Sequence, residues 1–237
     1  MAQGRFDSAM VLGRTIGCER DTVFCPVAPH SAAAIPRRLI RHDVSGWNRN
    51  IHYHGLVLDM MPSPCSAALD VGCGAGMLVR VLAGRAESVT GIDASNEMAE
   101  MAQRGDPDAT IAHGDFLTYD FGSQRFDFIT CVAALHHMDL QMALERMKAL
   151  LQPNGVIAII GLAKTGTMLD FGIDCVGFIA SRIVRLHRPV AYSGAPIKEP
   201  ERTYGDVKRT ASAVLPGAVF RRLLLFRYLL TWRNTIR

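Results

Sequence analysis

The sequence predicts a three-layer α/β protein whose seven-stranded, mostly parallel sheet ends in an antiparallel hairpin. Two observations lead to this prediction. Short apolar, β-rich runs alternate with helical segments from residue 47 to residue 160, which is the pattern of βαβ units. Near the C-terminus, two strand-like runs follow each other closely instead, at 218–224 and 227–232. Such close spacing favours a hairpin over another crossover connection.

The composition is that of a folded globular chain. Of its 237 residues, 49% are hydrophobic and 20% charged, which excludes a disordered or collagen-like protein. The net charge of +4 is too small to require a nucleic acid or an acidic membrane as partner. The six cysteines include no C-x-x-C pair, so we expect no metal site and a reducing, cytoplasmic location. We recognise neither a secretory signal nor an apolar run long enough to span a bilayer.

The elements are expected in the following order. Residues 1–42 have no clear period and contain three prolines, so we expect a poorly ordered or lid-like N-terminal arm before a domain at 43–237. A helix at 47–61 ends at Pro62 and Pro64. The other strands are expected at 67–71, 88–93, 109–112, 126–132 and 156–160, and the other helices at 77–83, 96–104, 140–151 and 203–214.

The strongest local signal is the loop Gly72–Gly76, which follows the strand segment Leu-Asp-Val and precedes a helix. Glycines in such a loop let the backbone approach a bound ligand closely. A dinucleotide-binding G-x-G-x-x-G loop would require glycine at Met77. Asp70, an acid close before the loop, is also not part of the dinucleotide-binding pattern. Its carboxylate would attract a cofactor that carries a positively charged group.

In this loop and the elements after it, the sequence resembles the class I S-adenosylmethionine-dependent methyltransferases. The closest resemblance is to their small-molecule, methyltransferase type 11-like branch, and it covers about residues 43–237. The resemblance implies a Rossmann-like fold and S-adenosylmethionine as cofactor. It also implies methyl transfer to a small-molecule acceptor such as a phenol, quinone or amine.

The resemblance further implies a set of cofactor-binding residues. The glycine loop would cradle the methionine part, Asp93 would accept hydrogen bonds from the ribose hydroxyls, and Asp115 would meet the adenine amino group. An aromatic residue of the preceding helix, Tyr53, would face the sulfonium, where a cation–π contact is favourable. The full set is Tyr53, Asp70, Gly72, Cys73, Gly74, Asp93, Ala94, Met98, Gly114, Asp115, Phe116, Cys131 and Val132. Taken alone, Asp93 is better explained as a helix N-cap and Met98 as a core residue; their joint order and spacing favour the cofactor roles.

Two adjacent histidines are the candidate catalytic residues. His136 and His137 follow the fourth strand, so they are expected near the carboxyl end of the sheet, where methyl transfer would take place. A base is useful where a phenol or hydroxyl acceptor must lose a proton. In the family such histidines act as bases in some members and only line the cofactor pocket in others.

The segment 164–203 follows the fifth strand, where the family often inserts substrate-binding elements, so we expect a substrate cap there. It is rich in apolar residues, and Arg182, Arg185 and Arg188 repeat at helical spacing. One alternative is an amphipathic helix that packs on the domain with its basic face in solvent. Contact with a membrane surface is another alternative.

Two other functions remain open at the level of sequence. The first is an RNA or other nucleic-acid methyltransferase, because the C-terminal strands interleave basic and aromatic residues from Arg221 to Arg233. The fourth-strand segment 130–133, Thr-Cys-Val-Ala, is against it, since it lacks the Asn-Pro-Pro-Tyr type of sequence used to methylate base amino groups. The second is a non-catalytic protein that binds S-adenosylmethionine.

Overall fold

The computed structural model describes residues 48–106, 108–187 and 198–235. In this part of the chain, seven strands form one sheet in the order β3-β2-β1-β4-β5-β7-β6. Strands β1 to β5 pair in parallel, whereas β7 is antiparallel to both of its neighbours, β5 and β6. The strands are β1 (Ala67–Val71), β2 (Ser88–Asp93), β3 (Thr110–His113), β4 (Phe126–Val132), β5 (Leu151–Gly161), β6 (Val219–Leu223) and β7 (Arg227–Arg233). The predicted sheet and its C-terminal hairpin are confirmed.

Six α-helices accompany these strands within the described residues. They are α1 (His54–Leu58), α2 (Met77–Ala83), α3 (Asn96–Gly105), α4 (Leu140–Leu150), α5 (Met168–His187) and α6 (Tyr204–Val214). The predicted helix at 47–61 is shorter in the structure and begins as a 3-10 helix at Ile51–Tyr53. Its start is set by Asn48, whose Oδ1 accepts hydrogen bonds from the backbone N–H groups of Asn50 and Ile51, both at 2.9 Å. The predicted arm at 1–42 and Trp47 lie outside the described residues.

Polar side chains fix where three helices begin. The Ser95 hydroxyl accepts from the Met98 N–H at the start of α3, and an Asp139 carboxylate oxygen accepts from the Met142 N–H at the start of α4. Helix α6 begins with a capping box in which Thr203 and Asp206 each accept from the other's backbone N–H. These bonds satisfy N–H groups that have no partner inside the helix.

The sheet is buried on both faces, which explains its continuous apolar strands. In β5, Ile157 and Ile159 belong to the core on one side of the sheet, while Val156, Ala158 and Ile160 belong to the core on the other. This alternation is the two-residue period of a strand. Layers of side chains on both faces hold the carboxyl ends of β1, β2 and β4 in fixed positions.

Strand β5 begins at Leu151, earlier than the predicted strand at 156–160, so that Pro153, Asn154 and Gly155 lie inside it. β5 already pairs with Phe126 at Leu151, and the register of its pairing with β4 shifts between Phe126 and Phe128. Asn154 adopts a left-handed conformation with φ of 63°. The Pro-Asn-Gly sequence therefore makes an irregularity within the strand, because pairing resumes on both sides of it.

The segment 164–203 leaves and rejoins the domain at one place. The Lys164 N–H donates to the Arg202 carbonyl at 2.8 Å, and the Tyr204 N–H donates to the Lys164 carbonyl at 3.3 Å. Helix α5 lies between these anchored ends, so the segment has the form of an insertion. The function predicted for it, as a substrate cap, stays a prediction. Among the described residues, no helix has the length and apolar character needed to cross a membrane.

Candidate active site

The glycine loop turns tightly between β1 and α2. Gly72, Gly74 and Gly76 all have positive φ, at 70°, 52° and 73°. A Cβ atom on Gly72 would overlap the side chain of Ala134, which follows β4. Only glycine meets both requirements, because other L-residues rarely adopt this conformation and have a Cβ. The backbone thereby forms an open cradle at the carboxyl end of the sheet.

Asp93 ties this cradle to the end of β2. One oxygen of its carboxylate accepts a hydrogen bond from the Gly74 N–H at 2.8 Å, and the other accepts from the Ser95 N–H at 2.9 Å. Helix α3 is capped by Ser95, so Asp93 is not its N-cap. Each carboxylate oxygen keeps a further lone pair, which hydroxyl groups of a ligand can use.

Asp70 is a buried acid at the bottom of the cradle. It is 2% exposed, and its Oδ1 accepts a hydrogen bond from the Thr130 hydroxyl at 2.8 Å. Burial raises the pKa of Asp70 to about 7, the Thr130 bond opposes this rise, and the negative charge of Asp93 adds to it. A bound cation would favour the ionised form of Asp70, so this position suits a positively charged ligand group.

A cavity of about 620 Å³ opens above the glycine loop and the ends of β2 and β4. All the predicted cofactor-binding residues line it except Tyr53 and Cys131; those that do are Asp70, Gly72, Cys73, Gly74, Asp93, Ala94, Met98, Gly114, Asp115, Phe116 and Val132. Their side chains give the cavity a carboxylate floor and an apolar wall formed by Met98 and Phe116. The structure therefore brings together residues from four separate strand ends.

Tyr53 and Cys131 lie outside this lining. Tyr53 is buried, and its hydroxyl donates to the Leu224 carbonyl in the β6–β7 turn at 2.6 Å. Cys131 is fully buried within β4, and burial raises the pKa of its thiol above the usual range. Burial likewise raises the pKa of the Cys73 thiol, so neither group is a ready nucleophile.

Several lining residues were not predicted from the sequence. Asn48, Asn50 and His54 line the cavity from the segment that carries Tyr53, and Arg80 lines it from α2. The Oδ1 atom of Asn50 accepts a hydrogen bond from Arg227 at 2.8 Å. Because a guanidinium only donates, this bond leaves the amide N–H groups of Asn50 as its remaining donors. No local pattern in the sequence marks Asn50, since its partner is 177 residues away.

The two histidines occupy different positions. His137 lines the large cavity and also a smaller one of about 250 Å³, whereas His136 lines only the smaller one. Their ring centroids are 4.2 Å apart. Burial lowers the pKa of His136 to about 4, and the neighbouring His137 lowers it further. Burial also lowers the pKa of His137, as does the charge of Lys198. Both rings are therefore mostly neutral at pH 7, and His136 is a much weaker base than an ordinary histidine.

Comparison with known proteins agrees with this geometry. Residues 69–159 match the family model described as "Methyltransferase domain". The chain is 35% identical over 194 residues to an uncharacterized methyltransferase of Mycobacterium tuberculosis, and the alignment covers 80% of this chain and 98% of that relative. The chain belongs to the class I S-adenosylmethionine-dependent methyltransferases.

Two further methyltransferases are similar over part of the chain or in fold. The dTDP-3-amino-3,6-dideoxy-alpha-D-glucopyranose N,N-dimethyltransferase of Streptomyces fradiae is 39% identical over 103 residues, which covers 41% of this chain and 40% of that enzyme. An amino pentose methyltransferase from Micromonospora echinaspora, solved with S-adenosylmethionine bound, superposes with a TM-score of 0.54. It is 18% identical and covers 78% of this chain and 90% of its own, a likeness in fold.

The residues of the large cavity fit S-adenosylmethionine, the cofactor of this family. A cavity of about 620 Å³ lies within the range of small-molecule sites. The glycine cradle admits close contact along the backbone, Asp70 and Asp93 offer negative charge, and the apolar wall can pack against a flat ring. When bound, the cofactor supplies an electrophilic methyl group on a sulfonium. The chain is therefore a methyltransferase.

Proposed function

We propose that this methyltransferase acts on a small-molecule acceptor that binds beside His137. The observation that carries the proposal is that His137 lines both cavities, so it lies where the cofactor cavity and the smaller one adjoin. The smaller cavity, of about 250 Å³, has room for a ring-sized group. A small acceptor is also what the name of the Streptomyces fradiae relative indicates for that enzyme, a nucleotide-linked amino sugar.

We propose the following roles for the residues of the cofactor cavity. The backbone of Gly72, Cys73 and Gly74 holds the methionine part, with Asp70 as the buried negative charge beside it. Asp93 and Ala94 hold the ribose, and Met98 and Phe116 pack on the adenine. Gly114 and Asp115 meet the adenine edge, and Val132 lies beside the sulfonium. Tyr53 and Cys131 support this site from outside its lining.

His137 is the proposed general base for an acceptor that must lose a proton. It lies at the boundary of the two cavities, and its lowered pKa keeps the ring neutral at pH 7. His136 faces only the smaller cavity, and its Nδ1 atom is buried without a hydrogen-bond partner in the described structure. We propose that His136 contacts the acceptor and positions the His137 ring.

Four of the basic and aromatic residues of the C-terminal strands are largely withdrawn from solvent, while Arg221 and Arg233 are exposed. Arg227, Tyr228 and Trp232 are buried, and the Arg222 side chain is only 14% exposed. Arg222 is also paired with Asp170 and Asp174. An aromatic side chain must be exposed to stack on a base, and a cation must be exposed to meet a phosphate. These four residues therefore favour a small acceptor over RNA or DNA.

A methyl-transfer screen tests the proposal directly. Purified protein is incubated with cofactor labelled in its methyl group and with phenols, quinones, amines or carboxylic acids, with bulk RNA as a parallel substrate. We expect label in at least one class of small molecule and none in RNA. Label in RNA alone would overturn the small-acceptor proposal while leaving the cofactor site intact.

Substitution of the two histidines tests the assignment of the base. His137→Ala should lower kcat by about 10²–10⁴-fold and leave cofactor affinity unchanged, because a base acts on the acceptor. The pKa of His137 lies below its ordinary value of 6.5, so wild-type kcat should hold from pH 8 down to about pH 6.5 and fall below that. His136→Ala is the comparison variant: it should raise the acceptor KM and, because His137 is still present, lower kcat less than His137→Ala does. Unchanged turnover of His137→Ala across this range removes the residue from the chemistry.

A further inference from the structure

Helix α5 turns its polar side toward the domain. Asp170, Gly177 and Ser181 are buried, and the Asp174 side chain is only 12% exposed. Residues 170, 174, 177 and 181 recur at intervals of three and four, so they form one side of the helix. This side holds both carboxylates of α5.

Arg222, a mostly buried arginine of β6, holds this polar side in place. Arg222 Nε lies 3.3 Å from an oxygen of Asp170, and its Nη2 lies 2.8 Å from an oxygen of Asp174. The guanidinium also stacks on the Tyr204 ring, with 3.3 Å between its central carbon and the ring centroid. Rotating α5 would separate buried opposite charges, which is strongly unfavourable. The helix is therefore fixed with its other side outward.

That outward side is apolar. Six large hydrophobic side chains of α5 are each more than half exposed: Met168, Phe171, Val176, Phe178, Ile179 and Ile183. A helix of 20 residues is about 30 Å long, so these side chains form an extended apolar surface. Monomeric proteins rarely leave such a continuous surface to water, and where they do it usually marks a binding site. We call these six residues the α5 apolar face.

The charges around this face indicate what binds it. Arg182 is exposed and lies with its guanidinium carbon 5.5 Å from the centroid of the Phe178 ring, while both acids of α5 are on the opposite side. A symmetric dimer through this face would need an acid to meet Arg182, and the described part of α5 offers none on that side. An anionic lipid surface provides both the negative charge and the apolar layer.

We propose that the α5 apolar face docks on the surface of a bilayer that contains anionic phospholipids. The aromatic and aliphatic side chains enter the boundary between headgroups and acyl chains, and Arg182 lies among the phosphates. The helix lies in the plane of the interface and does not cross it. This inference stands on α5 and its ion pairs alone, so it is independent of the acceptor and of His137.

Vesicle flotation with the full-length protein tests the proposal. We expect the protein to float with vesicles of phosphatidylcholine mixed with phosphatidylglycerol, to remain unbound with phosphatidylcholine alone, and to dissociate from the mixed vesicles as salt is raised. Arg182→Gln should weaken binding about fivefold, which is the contribution of one cation near an anionic surface. Equal binding to both kinds of vesicle would overturn the requirement for anionic lipid.

A double substitution separates lipid docking from its competitors. Phe178→Glu with Ile179→Glu should abolish flotation, while Met142→Glu, at an exposed apolar position of α4, should leave it unchanged. All variants are first checked for wild-type circular dichroism and cofactor affinity, so that unfolding is not mistaken for lost docking. Light scattering is measured in parallel. The proposal is wrong if the wild-type protein does not float, or if it is a dimer that Phe178→Glu with Ile179→Glu converts to a monomer.

Discussion

Helices α4 and α5 follow successive parallel strands, yet they face the domain in opposite ways. Helix α4 buries Leu140, Ala143, Leu144, Met147 and Leu150 and exposes mainly polar residues, with Met142 as the one large apolar exception. Helix α5 buries Asp170, Gly177 and Ser181 and leaves phenylalanines and isoleucines outside. Both sequences have helical apolar periodicity, and in α4 that periodicity correctly indicates the inward side. In α5 it indicates the outward side.

The difference shows what an apolar stripe establishes. It identifies the residues whose transfer out of water is favourable, but their destination depends on the surface that the helix meets. Helix α4 meets an apolar core. Helix α5 meets Arg222, whose charge needs the two carboxylates of the polar side. One alternative considered from the sequence was an amphipathic helix that packs its apolar side on the domain and exposes a basic face. That orientation is wrong, because the apolar side of α5 is exposed.

The largest expected effect is on the ion pairs that fix α5. Arg222→Met leaves two buried carboxylates without their cation, so we expect the free energy of unfolding to fall by about 3–5 kcal/mol. Urea unfolding followed by circular dichroism measures it. In the Arg222→Met protein, adding Asp170→Asn and Asp174→Asn removes the unpaired charges and should restore most of the loss. If Arg222→Met unfolds like wild type, the pairs do not hold α5.

The next effect concerns Asp70 and depends on pH. In the folded protein its pKa is about 7, above the ordinary 3.8, so the unfolded chain releases this proton at lower pH than the folded one. Stability from this group is thus present below about pH 4 and is lost as pH rises toward 7. Asp70→Asn should unfold like wild type at pH 4 and be more stable by about 2–4 kcal/mol at pH 8.

Asp70→Asn should also bind S-adenosylmethionine less tightly, because it lacks the carboxylate that we propose lies beside the positively charged methionine part of the cofactor. Urea unfolding at a series of pH values measures the first effect and calorimetry the second. The quantity compared at each pH is the difference in the free energy of unfolding between wild type and Asp70→Asn. The titration of all other groups is common to both proteins and cancels in this difference. A difference that is constant from pH 4 to pH 8 would show that the pKa of Asp70 is not raised by burial.

A smaller effect is expected at Asp93. Asp93→Ala removes the carboxylate proposed to bind the ribose and should weaken S-adenosylmethionine binding by about 1.5–3 kcal/mol, which is roughly 10–150-fold in Kd. Calorimetry with the cofactor and with S-adenosylhomocysteine measures it. Asp120→Ala is the control, since the Asp120 carboxylate also accepts from a loop N–H, that of Gly122, but lies outside the cavity. If Asp93→Ala binds S-adenosylmethionine as tightly as wild type does, the carboxylate does not bind the ribose and only holds the glycine loop through the Gly74 N–H.

The sheet, the glycine loop and the acids at the strand ends were predictable, because residues close together in the sequence determine their positions. Strand β4 and helix α2 have the predicted bounds, since a buried parallel strand is a continuous apolar run and a loop of three glycines ends where a helix begins. Asp70 is the next-to-last residue of β1, Asp93 is the last residue of β2, and Asp115 follows β3 by two residues, so the fold places them at one edge. Their presence in the cavity lining follows from the order of the strands.

The rest of the site depends on partners far along the chain. Asn50 lines the cavity while Arg227, 177 residues away, holds its amide. The orientation of α5 depends on Arg222, which is 48 residues from Asp174. Tyr53 was expected at the cofactor from its aromatic ring, but its hydroxyl bonds the hairpin turn at Leu224. No periodicity or spacing encodes such pairs, because each is formed by tertiary structure.

The smallest expected effect gives the sharpest comparison of α4 with α5. Phe178→Gln should change the free energy of unfolding by less than about 0.5 kcal/mol, because the Phe178 side chain is already exposed in the folded protein. Met147→Ala in α4 should lower it by about 2–5 kcal/mol, because Met147 is fully buried. Both are measured by urea unfolding without lipid. A large loss in Phe178→Gln would mean that another part of the chain covers the α5 apolar face, and the contrast between the two helices would then disappear.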